Sequence, residues 1–324
     1  MSLRRIPTLD GWRGVAILFV LLAHFQTGYL GHYIGGHEWL DLGQHGVTIF
    51  FVLSGYLITK GLLAERNINL LRFYVRRFFR LMPAAWTYLL FLLLLTQFTP
   101  MKVIGRNDLW GCLLFYRNYI PETPLNTCTG HFWSLSLEEQ FYLAWPPVLA
   151  WIGRRNGIVA VSVGAAALAV YQIFNWNYFL IGQHNLYTQA RAGALLVGCL
   201  LALLLEYDTV KMWLTKWGRT LFSVFALLLA ADFFWFQKLV PLHECILIAL
   251  MLGATSLNPQ MLVSRVLEWE HIKLTGVLSY SIYLWQQLFV RSNWGLLGPF
   301  LLMIAVGISW SCIEQPCRRL GRRF

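Results

Sequence analysis

Charge is scarce in this chain of 324 residues. Asp, Glu, Lys and Arg together make up 13% of it, and only 15 residues are acidic, against about 25% charged residues in soluble domains. Hydrophobic residues reach 57%, far more than one core can bury. The two figures together exclude a disordered chain, a secreted domain and an ordinary cytosolic enzyme. Long soluble linkers, low-complexity tracts and internal repeats are missing as well. No Cys-x-x-Cys pair occurs among the six cysteines, so a structural zinc site is not expected, and no metal is assigned. The first apolar run has a basic start, but Arg13 and His24 bracket it and no small-x-small cleavage site follows. It therefore does not read as a removable signal peptide.

What is abundant is apolar length. A helix crosses a bilayer with about 20 mostly apolar residues, about 17 at the short end. Ten stretches qualify: 12–28, 45–64, 81–98, 132–152, 157–174, 187–205, 220–236, 240–257, 273–290 and 295–313. Fifteen Trp and 14 Tyr suit aromatic belts at two membrane interfaces. The expected fold is all-α: a polytopic bundle of about ten transmembrane helices forming a single domain over 1–324, with no appended soluble domain. With the N-terminus inside, inner segments hold 20 of the 26 basic residues, among them Arg4, Arg5, Arg66, Arg72, Arg76, Arg77, Arg80, Arg318 and Arg319. Outer segments hold Lys102, Arg106, Arg117, Lys238 and Arg291, and Arg191 falls within a span. This asymmetry predicts cytoplasmic N- and C-termini and a multi-pass protein of the cell membrane. It also accounts for the net charge of +11 without nucleic acid as a partner.

The longest outer loop, from Thr99 to His131, is long enough to be functional. Cys112 and Cys128 share it on the oxidising side. A disulfide between them would close a loop of about 16 residues, worth roughly 3 kcal/mol.

Polar groups inside spans are costly and mark function. Arg13 and His24 are eleven residues apart, within about 20° of three full turns, so they share one stripe of the first helix, about 16 Å apart along it. The alternative is a snorkelling arginine and a packed histidine. Arg72, Arg76 and Arg80 recur at i, i+4, with Arg77 adjacent. They can grip phosphate oxygens or simply follow the charge rule and touch anionic lipid. At the start of the fourth span, Ser136 and Glu139 have capping-box spacing. Glu138 has no such role and, near His131, Ser134 and Gln140, reads as part of a polar site. Ser54 and Gly55 fall mid-span, where they serve packing or leave backbone room for a ligand. Tyr280, Ser281 and Tyr283 offer hydroxyls in the ninth span. Glu314 is expected to pair with a cytoplasmic arginine, and Arg191 needs a partner. His32, His37 and His45 do not have metal-site spacing.

Taken together, six segments resemble the integral membrane acyltransferase family 3. They are LDGWRGVAILFVLLAHF at 9–25, FFVLSGYLIT at 50–59, RRFFRLMP at 76–83, HFWSLSLEEQFYL at 131–143, SYSIYLW at 279–285 and EQP at 314–316. They occur in the family's order and span essentially the whole chain. Two positions depart from the pattern: Gln286 stands where the family often has His, and Arg191-Ala-Gly193 where Arg-Ala-Asp is common. The resemblance implies O-acyl transfer, usually of acetyl, from cytoplasmic acyl-coenzyme A to a hydroxyl. The acceptor would be a glycan, a lipid-linked sugar or another small hydroxyl-bearing molecule at the outer side. On that expectation Arg72, Arg76, Arg77 and Arg80, with Ser54 and Gly55, hold the donor acetyl-CoA. His24, Arg13 and Glu138 are catalytic, with His24 as general base. His131, Ser134, Gln140, Tyr280 and Tyr283 bind the acceptor. The rival reading is a transporter or flippase of a lipid-linked or polar solute, disfavoured by the lack of an inverted repeat.

Overall fold

The computed structural model describes residues 6–27, 42–65, 67–121, 128–181, 184–235, 241–290 and 297–324. Those residues form an all-α polytopic membrane protein without strands. The helices are α1 (Pro7–Thr27), α2 (Leu42–Leu63), α3 (Leu70–Phe98), α4 (Arg106–Leu113), α5 (Phe132–Phe174), α6 (Trp176–Leu180) and α7 (Thr188–Leu204). They continue as α8 (Asp208–Trp235), α9 (Leu242–Leu257), α10 (Leu262–Leu267), α11 (Glu270–Val290), α12 (Leu297–Ile308) and α13 (Gln315–Gly321). His32, His37, Arg4, Arg5, Arg66, Lys238 and Arg291 lie outside the described residues.

Among the described residues, seven helical stretches are long and apolar enough to cross a membrane. The difference from ten has identifiable sources. Helix α5 runs for 43 residues, about 64 Å at 1.5 Å per residue, twice the hydrocarbon thickness of about 30 Å. It breaks at Gly153, with φ 72° and ψ 178°, a conformation that costs glycine little because it has no Cβ. The two spans expected at 132–152 and 157–174 are thus two helical stretches that meet at this break. Helix α9 has only 16 residues. Helix α11 carries Glu270, Lys273, Gln286 and Gln287.

Helix α3 shows how the sequence places its faces. Asn69 caps it, its Oδ1 accepting the Arg72 N–H at 2.9 Å. Trp86, Leu90, Leu94 and Phe98 recur every fourth residue and are all exposed, an apolar stripe suited to lipid. Tyr88, Leu89 and Leu92, on another face, are buried.

The described residues fall into two compact units. One comprises residues within Met1–Val20, Trp39–Ile68 and Phe141–Val277; the other, residues within Leu21–Glu38, Asn69–Gln140 and Leu278–Phe324. In the first unit α2 crosses α7 at backbone distance. A Cβ on Gly55 would lie 2.0 Å from the Leu195 carbonyl oxygen, and one on Gly198 would lie 2.1 Å from that of Val52. The space beside Gly55 that sequence reasoning left for the donor is therefore filled by α7, which corrects that assignment. Ser54 is on the same helix, half-buried. We expect Gly198→Leu to drive these helices apart at a cost of about 1–3 kcal/mol or more. The result would be a clearly lower thermal midpoint in detergent-solubilised protein.

The same unit buries a polar cluster where three helices begin. His45 Nδ1 lies 2.8 Å from Glu244 Oε1, both fully buried. The Arg191 guanidinium donates to the Asn185 carbonyl at 2.8 Å and to Gln44 Oε1. These bonds supply the partners that Arg191 requires inside a span.

Candidate functional site

The second unit gathers most of the expected site residues. Helix α1 carries Arg13 and His24 as the sequence spacing requires; Arg13 Nη1 lies 3.8 Å from Asp10 Oδ1 one turn earlier. His24, half-buried, meets α11 in the second unit: its Nδ1 is 2.6 Å from Gln286 Oε1. An amide oxygen only accepts hydrogen bonds, so this contact calls for a proton on Nδ1. In sequence terms Gln286 was a departure from a family pattern. In the structure its amide oxygen is the hydrogen-bond partner of His24 Nδ1.

One residue further along α11, Gln287 makes a parallel arrangement. Its Oε1 is 2.9 Å from His131 Nδ1 and accepts the His131 backbone N–H at 3.2 Å. The Tyr283 hydroxyl lies 2.5 Å from Ser134 Oγ, and each hydroxyl lies 3.1 Å from the His131 carbonyl oxygen, so one donates to the other and the second to the carbonyl. His131, Ser134 and Tyr283, all assigned to the acceptor, thus share one buried cluster. Gln287 was not singled out from the sequence, and Gln286 only as a departure from the family pattern. Two adjacent glutamines within an apolar helix were the available signal, by the same rule that flagged His24.

Other expected residues take different places. Gln140 Nε2 donates to the Phe115 carbonyl at 2.6 Å and to Asn118 Oδ1 at 3.1 Å. It thereby ties down the outer loop, which corrects its assignment to the acceptor. Ser136 does not cap a helix, because α5 already begins at Phe132; its Oγ instead accepts the Arg117 N–H at 3.2 Å. Arg117, buried, lies 3.4 Å from Asp108 and donates to the Ile120 carbonyl at 2.8 Å. Tyr280 donates to the Leu81 carbonyl at 2.7 Å, joining α11 to α3 next to Arg80. Glu138 lies within electrostatic range of Tyr280 and Tyr283, and Glu139 within range of Arg77.

Glu314 has hydroxyl partners besides the expected arginines. A π-helical segment, Ser309–Glu314, turns this carboxylate inward, where it is buried and accepts from Ser281 and from Ser309 at 3.4 Å. Arg80 and Arg318 also act on it electrostatically. A hydroxyl pair satisfies a buried carboxylate without desolvating a guanidinium beside it. Arg72, Arg76, Arg77 and Arg80 all lie on α3; Arg72 is exposed and the other three are half-buried.

Cys112 and Cys128, whose spacing allowed a disulfide without requiring one, are both buried, and no disulfide joins them. Burial pushes the Cys112 thiol well above its usual range, which leaves little reactive thiolate. Reductant should therefore leave the thermal midpoint unchanged, and an alkylating reagent should modify Cys112 only after unfolding; mass spectrometry of intact protein checks both. Among the described residues no cluster of His, Cys, Asp and Glu suits a metal ion.

A family model described as an acyltransferase domain matches residues 6–313. Among curated proteins, the chain is 26% identical to a peptidoglycan O-acetyltransferase, OatA, of Listeria monocytogenes, over 99% of this chain and 57% of the relative. It is 29% identical to the O-acetyltransferase OatA of Staphylococcus aureus, over 99% and 58%. It is 28% identical to a putative peptidoglycan O-acetyltransferase, YrhL, of Bacillus subtilis, over 99% and 56%. The chain thus spans a little over half the length of these relatives. No solved structure matches.

Proposed function

Because the chain belongs to the acyltransferase domain family, we propose that it is a membrane O-acetyltransferase. In this reading it moves an acetyl group from cytoplasmic acetyl-coenzyme A to a glycan hydroxyl at the outer side of the cell membrane. Peptidoglycan is the acceptor that the names of its relatives suggest. The observation that carries the mechanism is the 2.6 Å contact between His24 and Gln286. It supports a ring proton on His24 Nδ1, in a unit that also contains the four arginines of α3.

The donor's phosphates are assigned to Arg72, Arg76, Arg77 and Arg80 through charge-assisted, bidentate bonds. Its uncharged pantetheine arm passes along α1 and brings the thioester to His24. The acceptor hydroxyl donates to His24 Nε2 and attacks the thioester carbonyl as the imidazole takes its proton. The C–S bond then breaks, and the sulfur leaves as thiol with that proton. Gln286 is neutral, so it orients the ring without adding a second charge to a desolvated site. Glu138 supports the imidazolium and acceptor electrostatically, and Arg13 closes the inner end of the stripe. Transfer is direct, with no covalent acyl-protein.

The test is thiol release from acetyl-coenzyme A by purified protein, with and without peptidoglycan glycan fragments. Stoichiometric thiol and O-acetyl ester support acyl transfer. Movement of a polar solute across proteoliposomes without thiol release would instead support the transport reading.

A further inference from the structure

The acyl-transfer reading uses one imidazole, yet α11 holds two in the same manner. Gln287 Oε1 receives both the ring and the backbone N–H of His131, so the ring proton is on Nδ1. The ring is boxed in by Tyr88, Phe132 and Tyr283, with centroids 5.7, 4.9 and 5.4 Å away. It cannot readily turn to another partner.

The far nitrogen of this ring, Nε2, is buried and has no hydrogen-bond partner. A buried acceptor left in this way costs about 1–3 kcal/mol, and most such groups in proteins are satisfied. The titratable and charged groups facing His131 do not supply the missing donor. The Tyr88 hydroxyl is committed to the Cys128 carbonyl at 2.7 Å and that of Tyr283 to Ser134 and the His131 carbonyl. Burial, and after it His24 and Arg117 electrostatically, oppose protonation of the ring and outweigh the hydrogen bonds to Gln287 and the Leu284 backbone that favour it. His131, just ahead of α5, is therefore held well below the usual histidine range and stays neutral. Close by in sequence on α11, Gln286 Nε2 and Trp285 Nε1 are buried donors without partners. Unmatched acceptor and donor atoms in one unit are what a polyhydroxylated ligand would satisfy.

We propose that His131 Nε2 accepts a hydrogen bond from a second hydroxyl of the acceptor, beside the one that reacts, and that Gln287 is the positioning residue that fixes its tautomer. This rests on the acyl-transfer reading and narrows the acceptor to molecules with neighbouring hydroxyls, such as sugars, over simple alcohols. The bond forms in the bound acceptor and moves no proton.

The test combines histidine-labelled ¹⁵N NMR with kinetics on the purified protein, using acetyl-coenzyme A with glycan fragments or with a monohydroxyl alcohol. In the wild type, His131 should show a protonated Nδ1 and a lone-pair Nε2, and His131→Phe should identify its signals. Gln287→Leu should remove that preference and raise the KM for the glycan about tenfold, the worth of one neutral hydrogen bond. The KM for acetyl-coenzyme A and turnover with the alcohol should stay unchanged. Gln287→Glu keeps an acceptor on Nδ1 and serves where the leucine variant fails to fold. Its carboxylate should raise the basicity of the ring, so glycan KM should rise on acidification and recover at higher pH. A wild-type His131 protonated on Nε2, or equal losses with glycan and alcohol, would overturn the proposal while leaving acyl transfer standing. A wild type without thiol release would remove the acyl-transfer reading, and the tautomer measured by NMR would still decide the role of Gln287.

Discussion

His24→Ala should abolish measurable acyl transfer while the protein still inserts and folds. Loss of a general base costs about 10²- to 10⁴-fold, close to 3–5 kcal/mol of activation free energy. The stability cost is smaller: Gln286 Oε1 loses its donor, worth about 1–3 kcal/mol, so the thermal midpoint should fall modestly. Gln286→Leu separates the two effects. It keeps the imidazole but frees its tautomer, and its turnover should fall by roughly tenfold, well short of the alanine variant. Thiol release from acetyl-coenzyme A, normalised to monodisperse protein, measures both. Undiminished turnover of His24→Ala would end its assignment as base.

The second large effect concerns the donor. Replacing Arg77 and Arg80 together with Ala should raise the KM for acetyl-coenzyme A by about 100-fold. Each charge-assisted bond is worth about 1.5–3 kcal/mol, part of it screened at the half-buried α3 surface. The KM for acetyl-pantetheine, which lacks the nucleotide, should not change. That contrast separates phosphate binding from a general weakening of α3. An equal loss on both donors would mean that the arginines support the fold or the lipid surface instead.

The fold class was legible because it depends on composition. Apolar runs of membrane length can only be helices or closed barrels in lipid, and their basic flanks are visible without tertiary contacts. The count was less legible. Gly153 breaks the 43-residue stretch between two expected spans, and no linear pattern shows how sharply the chain turns there. The candidate site was legible where one helix carries it, as with the Arg13–His24 stripe. It was illegible where tertiary contacts decide. Gln140 looked like a site residue beside Glu138 and Ser136 like a helix cap, yet their side chains hold the 115–118 loop. Glu314 was matched to arginines by charge, yet serines satisfy it once the π-helical segment turns it inward. Gln286 was set aside because it is not His, although an amide oxygen can hold an imidazole proton as well as orient the ring.

The most direct test of the whole scheme is a cryo-EM map of the protein with a thioether analogue of acetyl-coenzyme A, which cannot transfer its acyl group. The account predicts phosphate density against Arg76, Arg77 and Arg80, with the analogue's sulfur and carbonyl beside His24 Nε2. An analogue bound with its reactive end remote from His24 would contradict it.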